Sequence, residues 1–237
     1  MPTYRHGRHE YGQNFLTDQS IIATITRLVV ATEGPIMEIG PGDGALTIPL
    51  ARLGRPVTAI EIDARLARCL SERLPSHVDV VSDDFLIYRL PTYPHVLVGN
   101  LPFHQTTAML RRMLHAPAWT NAILLVQWEV ARRRAGLGGA TMMTAQWAPW
   151  FEFTLHARVP SRAFTPRPGV DGGILTIYRR EHPLLPSTQR RQFHALVHRV
   201  YTGPGCGLAQ ILARNTALGS ARAAQAWLSR HGMTAAG

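Results

Sequence analysis

The sequence predicts an α/β protein. A doubly wound, mostly parallel sheet spans residues 1–180 with one antiparallel strand near its end, and a small helical domain follows across residues 181–237. Three observations predict it. Short apolar runs alternate with helix-like periodic stretches from Ile36 to Gln127, as in a parallel sheet with crossover helices. The first of those runs stops at glycines, and a helix pattern (Ala45, Leu46, Ile48, Leu50, Leu53) starts directly behind them. Beyond Arg179-Arg180-Glu181-His182-Pro183 the character changes: from His182 to Gly237 there are six arginines, four histidines and no acidic residue.

Taken in order, Tyr4 to Leu16 is polar, basic and irregular. Asp18 can cap a helix whose apolar face is Ile21, Ile22, Ile25, Leu28 and Val29, and Glu33-Gly34-Pro35 ends it. Ile36 opens the sheet. Val57 to Ile62 is a second strand, Ala64 to Leu74 a helix stopped by Pro75, and Val78 to Val81 a third strand running into Asp83-Asp84-Phe85-Leu86. Val96 to Val98 is a fourth strand, ended by Gly99-Asn100-Leu101-Pro102-Phe103. A helix from about Gln105 to His115 precedes a fifth strand, Ala122 to Gln127. Glu129 to Ala135 carries three consecutive arginines, Gly136 to Gly139 makes a loop, and Thr141 to Ala148 reads as helix. Phe151 to Leu155 reads as a strand, and Ile174 to Tyr178, reached after only a Pro- and Arg-rich loop, should pair antiparallel with it. Two or three short amphipathic helices complete the chain, broken at Gly203-Pro204-Gly205 and Gly219.

Composition narrows the class. At 237 residues the chain can hold one large domain plus an appendage. No apolar run reaches membrane-spanning length, and the N-terminus, with Arg5, His6, Arg8 and His9, lacks the apolar core of a secretory signal. Cys69 and Cys206 sit far apart with no metal-ligand spacing, which predicts a reduced, cytoplasmic protein without a metal. The net charge of +10 is carried by 25 arginines and no lysine, so arginine preference at any one site carries little information. The excess itself, with an acid-free tail, points to a polyanion, and nucleic acid is the commonest.

The turn after the first strand reads Glu38-Ile39-Gly40-Pro41-Gly42-Asp43-Gly44. This is neither the dinucleotide G-x-G-x-x-G nor a phosphate loop, which would need a following Lys-Ser/Thr. Glycines there remove β-carbons where a ligand approaches the backbone, and ligands of open α/β sheets sit beyond the carboxyl ends of strands. An acid at the strand end suits a cationic or hydroxyl-bearing ligand. About twenty residues on, Glu61-Ile62-Asp63 offers a carboxylate that can accept both ribose hydroxyls of a nucleoside. Asn100-Leu101-Pro102-Phe103 is the second signal. The Asn100 side-chain carbonyl and the Leu101 backbone carbonyl can accept both N–H bonds of a flat exocyclic amine, and Phe103 offers a ring for its base to stack on. Such an amine donates its lone pair into the ring; two acceptors favour a more tetrahedral nitrogen with the lone pair aimed outward.

The constellation of Gly12 to Leu16, Glu38 to Gly44, Glu61 to Asp63, Asp84-Phe85-Leu86 and Asn100 to Phe103 resembles the rRNA adenine N6-methyltransferases. These include the erythromycin-resistance (Erm) enzymes and the small-subunit rRNA adenine dimethyltransferases. Phe164-Thr165-Pro166-Arg167-Pro168 looks like that family's later Phe-x-Pro-x-Pro motif, and Gln127 to Trp150 looks closer to Erm sequences. The resemblance implies a Rossmann-like methyltransferase sheet, S-adenosyl-L-methionine as cofactor, 23S rRNA as substrate, no membrane and a monomer. It also implies macrolide, lincosamide and streptogramin B resistance.

By the same resemblance Gly40 and Gly42 pass the cofactor along the backbone under Asn14 and Leu16. Glu61 holds its ribose, Ile62 lies against its adenine, Asp84 accepts its adenine amine, and Asn100 faces it as well. Asn100, Leu101 and Phe103, helped by Phe164, hold the substrate adenine. Arg132, Arg133, Arg134, Arg162 and Arg167 are candidate RNA phosphate contacts. Leu16 and Ile62 are equally readable as core residues, and Phe103 stands where many relatives carry tyrosine. Two other readings stay open: a housekeeping small-subunit rRNA dimethyltransferase, and an rRNA-binding assembly factor that kept the fold without the chemistry.

Overall fold

The computed structural model describes residues 14–204 and 207–232. Gly12, Gln13, Gly205, Cys206 and the basic N-terminal stretch lie outside them. The chain separates into two compact units. One is built from residues up to Gly139 together with Phe151–Arg180, the other from Ala140–Trp150 and residues from Glu181 onward.

The first unit opens with β1 (Phe15–Leu16), α1 (Gln19–Val30), β2 (Ile36–Ile39), α2 (Thr47–Ala51), β3 (Val57–Glu61) and α3 (Ala64–Ser71). It continues with β4 (Val78–Ser82), β5 (His95–Asn100), α4 (Thr106–His115), β6 (Trp119–Gln127) and α5 (Trp128–Arg134). After α6 (Met142–Trp147), which belongs to the second unit, come β7 (Phe151–Val159), β8 (Phe164–Thr165) and β9 (Gly172–Arg179). Seven strands form one sheet in the order β4-β3-β2-β5-β6-β9-β7. The pairs among β2 to β6 are parallel, whereas β9 runs antiparallel to β6 and to β7. The expected antiparallel strand is present, inserted between two others: β7 lies at the sheet edge, and the chain returns from it by a loop to fill the space beside β6.

Central strands are apolar on both faces because helices cover both. All four residues of β2 are buried. Ile36, Val57, Val78, Val96, Val98, Ile123, Leu125 and Ile174 pack with Ile22, Ile25 and Val29 of α1 and Leu50 of α2 in one core cluster. Strand neighbours of opposite parity, such as Met37, Leu97, Leu124 and Leu175, are buried as well. Each such side chain contributes about 1.5–3 kcal/mol. Asp18 caps α1 by accepting from the backbone N–H groups of Ser20 and Ile21, and Asp63 does the same for α3 through Arg65 and Leu66. At the far end of the sheet Trp119 stacks on Phe151 at 4.9 Å, under the Arg179 guanidinium, which donates to the carbonyls of Trp119 and Ala116.

A second, two-stranded pairing joins β1 to β8, with Leu16 opposite Phe164 and Phe15 opposite Thr165. Two-residue strands carry no periodicity to read, so the sequence shows only an irregular N-terminus here.

In the second unit, α6 and a 3₁₀ turn (Ser187–Gln189) join α7 (Arg190–Thr202), α8 (Leu208–Asn215) and α9 (Ala221–Arg230). The rings of Trp147 and Trp150 lie against His194, Trp150 also meets Phe193, and the Arg190 guanidinium sits over both tryptophans. The tail from Glu181 buries only Val197, Ala224 and Leu228 of its own apolar residues among those described. It takes its aromatic core from Ala140–Trp150. A division of the chain at residue 180 assigns that segment to the sheet, because nothing in its composition marks where its rings are buried.

Candidate active site

Strand order reverses between β2 and β5, and a crevice at the carboxyl ends of these strands is where open α/β sheets take ligands. Two recesses open there in the first unit. The first is lined by residues that include Asn14, Leu16, Glu38, Gly40, Gly42, Asn100, Leu101 and Phe103, the second by residues that include Gly40, Glu61, Ile62, Asp84, Pro102 and Gln105. Gly40 and Pro102 border both, so they form one groove. Ten residues singled out in the sequence line it: Asn14, Leu16, Gly40, Gly42, Glu61, Ile62, Asp84, Asn100, Leu101 and Phe103.

The turn after β2 is built from glycine for two different reasons. Gly42 has φ +58°, and a β-carbon there would lie 2.9 Å from the Phe15 ring. Gly40 has φ +65° with nothing within 4 Å of an added β-carbon, so its backbone borders open space. Gly44 serves packing instead: a β-carbon there would meet Leu70 at 2.5 Å.

Glu61, at the end of β3, holds this turn in place. One carboxylate oxygen accepts the Gly42 N–H at 2.9 Å and the other the Asp63 N–H at 3.0 Å. Burial pushes its carboxyl upward, and the two backbone donors oppose the shift. Glu38, on β2, is buried more completely. Burial pushes its carboxyl up to about 8; the nearby Thr47 hydroxyl opposes the shift, and the charges of Glu61 and Asp43 add to it. Its Oε2 has no hydrogen-bond partner among the described residues. A buried carboxyl oxygen without a partner, lining a recess, leaves room for a polar group of an incoming ligand. In the second recess the Asp84 carboxylate accepts from Leu86 N at 2.8 Å, and Ile62 keeps 40% of its surface exposed, a large apolar side chain beside two carboxylates.

At the end of β5 the Asn100 side-chain nitrogen donates to the Asn14 carbonyl at 2.7 Å. A carbonyl can only accept, so this contact fixes which end of the carboxamide is nitrogen. Its Oδ1 is left as the acceptor for another group. Leu101 donates its N–H to Leu125 O at 2.9 Å and buries its side chain, leaving its backbone carbonyl as its polar contribution. Phe103 faces the groove and meets Phe164 edge-on at 6.2 Å. Phe164 itself is 3% exposed and is not among the lining residues, so it stands behind Phe103.

The five arginines divide. Arg133, Arg162 and Arg167 are exposed, Arg132 pairs with Glu129 at 3.7 Å, and Arg134 is only 9% exposed. Burial lowers the Arg134 pKa. The sequence marks Glu38 as an acid suited to a ligand but not that one of its oxygens is isolated, and it gives Phe15 no role of its own, though the ring lines the recess. Among the described residues no cluster of His, Cys, Asp or Glu could hold a metal, and no helix is long and apolar enough to cross a membrane.

The profile of the ribosomal RNA adenine dimethylase family matches residues 4–232. An rRNA adenine N-6-methyltransferase of Corynebacterium diphtheriae is 60% identical over 90% of this chain and 85% of its own length. The mycinamicin-resistance protein MyrB of Micromonospora griseorubida is 50% identical over 94% of this chain and 71% of its own. The crystal structure of the 23S rRNA methyltransferase ErmE superposes with a TM-score of 0.86 at 35% identity, covering 94% of this chain and 92% of that one. With a glycine turn, two acidic strand ends and a fixed asparagine carboxamide along one groove, and with matches over nearly its whole length, the chain belongs to the ribosomal RNA adenine dimethylase family.

Proposed function

We propose that this chain methylates the N6 amine of an adenine in 23S rRNA with S-adenosyl-L-methionine as donor, and so protects ribosomes against macrolides, lincosamides and streptogramin B. The observation that carries the chemistry is the Asn100 carboxamide, whose nitrogen is occupied by Asn14 O. Its Oδ1, with the Leu101 carbonyl, can take the two N–H bonds of an adenine amine. That pairing favours a pyramidal nitrogen with its lone pair turned outward, and a binding protein without chemistry has no use for it. The attacking nitrogen becomes acidic only once alkylated, so no strong general base is required, and the rate comes mainly from alignment.

The groove fits the donor. S-adenosyl-L-methionine supplies a methyl group on a positively charged sulfur. Its ammonium, ribose hydroxyls and adenine amine are all hydrogen-bond donors, and the groove meets them with acceptors: Glu38, Glu61 and Asp84. Gly40 leaves its backbone open to the donor, Gly42 makes room for the Phe15 ring beside it, Asn14 and Leu16 cover, and Ile62 offers an apolar face. Phe103, backed by Phe164, supplies the stacking surface for a flipped adenine; an unpaired base reaches such a pocket at lower cost than a paired one. Arg132, Arg133, Arg162 and Arg167 are assigned to phosphates. Arg134, by its burial, is assigned to packing.

Purified large and small ribosomal subunits methylated in parallel, with the product located by mass spectrometry, test this reading. N6-methylation of a 23S adenine is expected, and methylation confined to small-subunit rRNA would replace the proposal with the housekeeping activity.

A further inference from the structure

A pocket in the first unit, apart from the groove, is lined by Gln127, Trp128, Glu129, Arg158 and residues 169–171. The Arg158 guanidinium lies 5.1 Å from the Trp128 ring centroid, within cation–π range. Asp171 fixes it there: Arg158 Nε and Nη2 each lie 2.9 Å from Asp171 Oδ2, while Asp171 Oδ1 accepts the Ser161 N–H at 2.8 Å. The same residue also ties down the tryptophan's main chain: Trp128 N donates to Asp171 O at 2.9 Å. Val170 adds an apolar rim at 50% exposure, and an added β-carbon on Gly169 would meet nothing within 4 Å.

Register locates this pocket. Asn100 pairs with Leu125 on β6, and Gln127, two residues further along that strand, pairs with Gly172. The pocket therefore lies at the same end of the sheet as the amine-holding residues, reaching from the end of β6, next to β5, across β9 to Arg158 on β7, with about 4.8 Å between neighbouring strands. An immobilised aromatic–guanidinium pair with an apolar rim is the surface on which unstacked bases of single-stranded RNA lie. Exposed Arg162 and Arg167, the latter donating to Ser161 Oγ at 2.9 Å, place positive charge on the adjoining loop.

We propose that Trp128 and Arg158 form a subsite for a nucleotide adjoining the target adenine, so that the enzyme grips an unstacked neighbour as well as the base it modifies. This rests on the reading of the chain as an rRNA methyltransferase. The subsite holds the RNA in register while the target base occupies the groove, and it accounts for a pocket that the transfer chemistry does not use.

The test uses the full chain and 23S rRNA hairpins carrying 2-aminopurine on either side of the unpaired target adenine. The fluorescence of this base is quenched on stacking. Quenching is expected with the wild type and with Trp128→Phe. Trp128→Leu should abolish it at one of the two positions and weaken RNA binding about tenfold, with S-adenosylmethionine affinity unchanged. Should Trp128→Leu fail to fold, Arg158→Met, which keeps the stem without the guanidinium, is expected to weaken RNA binding in the same assay. A folded variant that binds and quenches like the wild type overturns the subsite and leaves the enzymatic reading intact. A wild type that methylates no rRNA adenine, while its quenching still depends on Trp128, overturns the enzymatic reading and supports the nucleotide site.

Discussion

The side-chain nitrogen of Asn100 donates to the backbone carbonyl of Asn14 across 2.7 Å, tying the end of β5 to the residue just before β1. One contact thus orients a carboxamide and anchors a segment that lines the same recess.

Asn100→Ala removes the side-chain acceptor and releases Asn14. Methyl transfer is expected to fall by roughly 10²–10³-fold, the scale on which one preorganised hydrogen-bonding group acts in a transition state. Cofactor affinity measured by calorimetry should change far less than kcat. Equal losses in both would move Asn100 from the reaction to the binding of the donor.

Gly42→Ala puts a β-carbon 2.9 Å from the Phe15 ring at φ +58°. The left-handed backbone alone costs about 1–2 kcal/mol, and the clash pushes Phe15 over the recess. A lower melting temperature together with weaker S-adenosylmethionine binding is expected; Gly54→Ala, also at positive φ but with open space, should lower the melting temperature alone.

Glu38 makes stability depend on pH. Its carboxyl is raised from 4.5 to about 8 in the fold, so the unfolded chain binds fewer protons between those values. Stability contributed by the neutral, buried form is fully present below about 4.5 and is lost as pH rises toward 8, at up to about 1.4 kcal/mol per pH unit. Urea unfolding from pH 5 to 8.5 should show this decline, and Glu38→Gln should flatten it. Glu61, shifted the same way by burial, supplies a remaining slope. An unchanged profile in Glu38→Gln would mean that Glu38 is ionised in the free protein.

Glu61→Ala removes the acceptor of two backbone N–H groups. Each one left without a partner in the interior costs on the order of 1–3 kcal/mol. Both the melting temperature and cofactor affinity should drop, and Glu61→Gln, which keeps one acceptor oxygen, should recover part of each.

The arginines separate by assay. Arg133→Ala should reduce the slope of log K for RNA against log salt by about one, because an exposed guanidinium on a phosphate releases a counterion. Arg134→Ala should leave that slope unchanged and lower the melting temperature, since its side chain is buried.

Much of this was legible in the sequence because the signals are local. The alternation from Ile36 to Gln127 reflects side chains packed on both faces of one sheet, and the glycine turn, Glu61, Asp84 and Asn100–Phe103 stand at strand ends that periodicity alone locates. Phe164 marks the limit. Its motif is visible, but only its pairing opposite Leu16 and its edge contact with Phe103 put it behind the groove wall. Arg134 is another: three arginines in a row look alike as letters, and the turn of α5 buries one of them.

By itself the sequence determined the sheet, its crossover helices, the acids and glycines at its edge and the excess of positive charge, because each follows from neighbours in the chain. Only the tertiary structure decided which end of the Asn100 carboxamide is occupied, that Glu38 keeps an unpartnered oxygen, that Ala140–Trp150 packs with the tail, and that Trp128 and Arg158 meet. Those relationships join residues far apart in sequence, and desolvation and pairing act through space on groups that no local pattern connects.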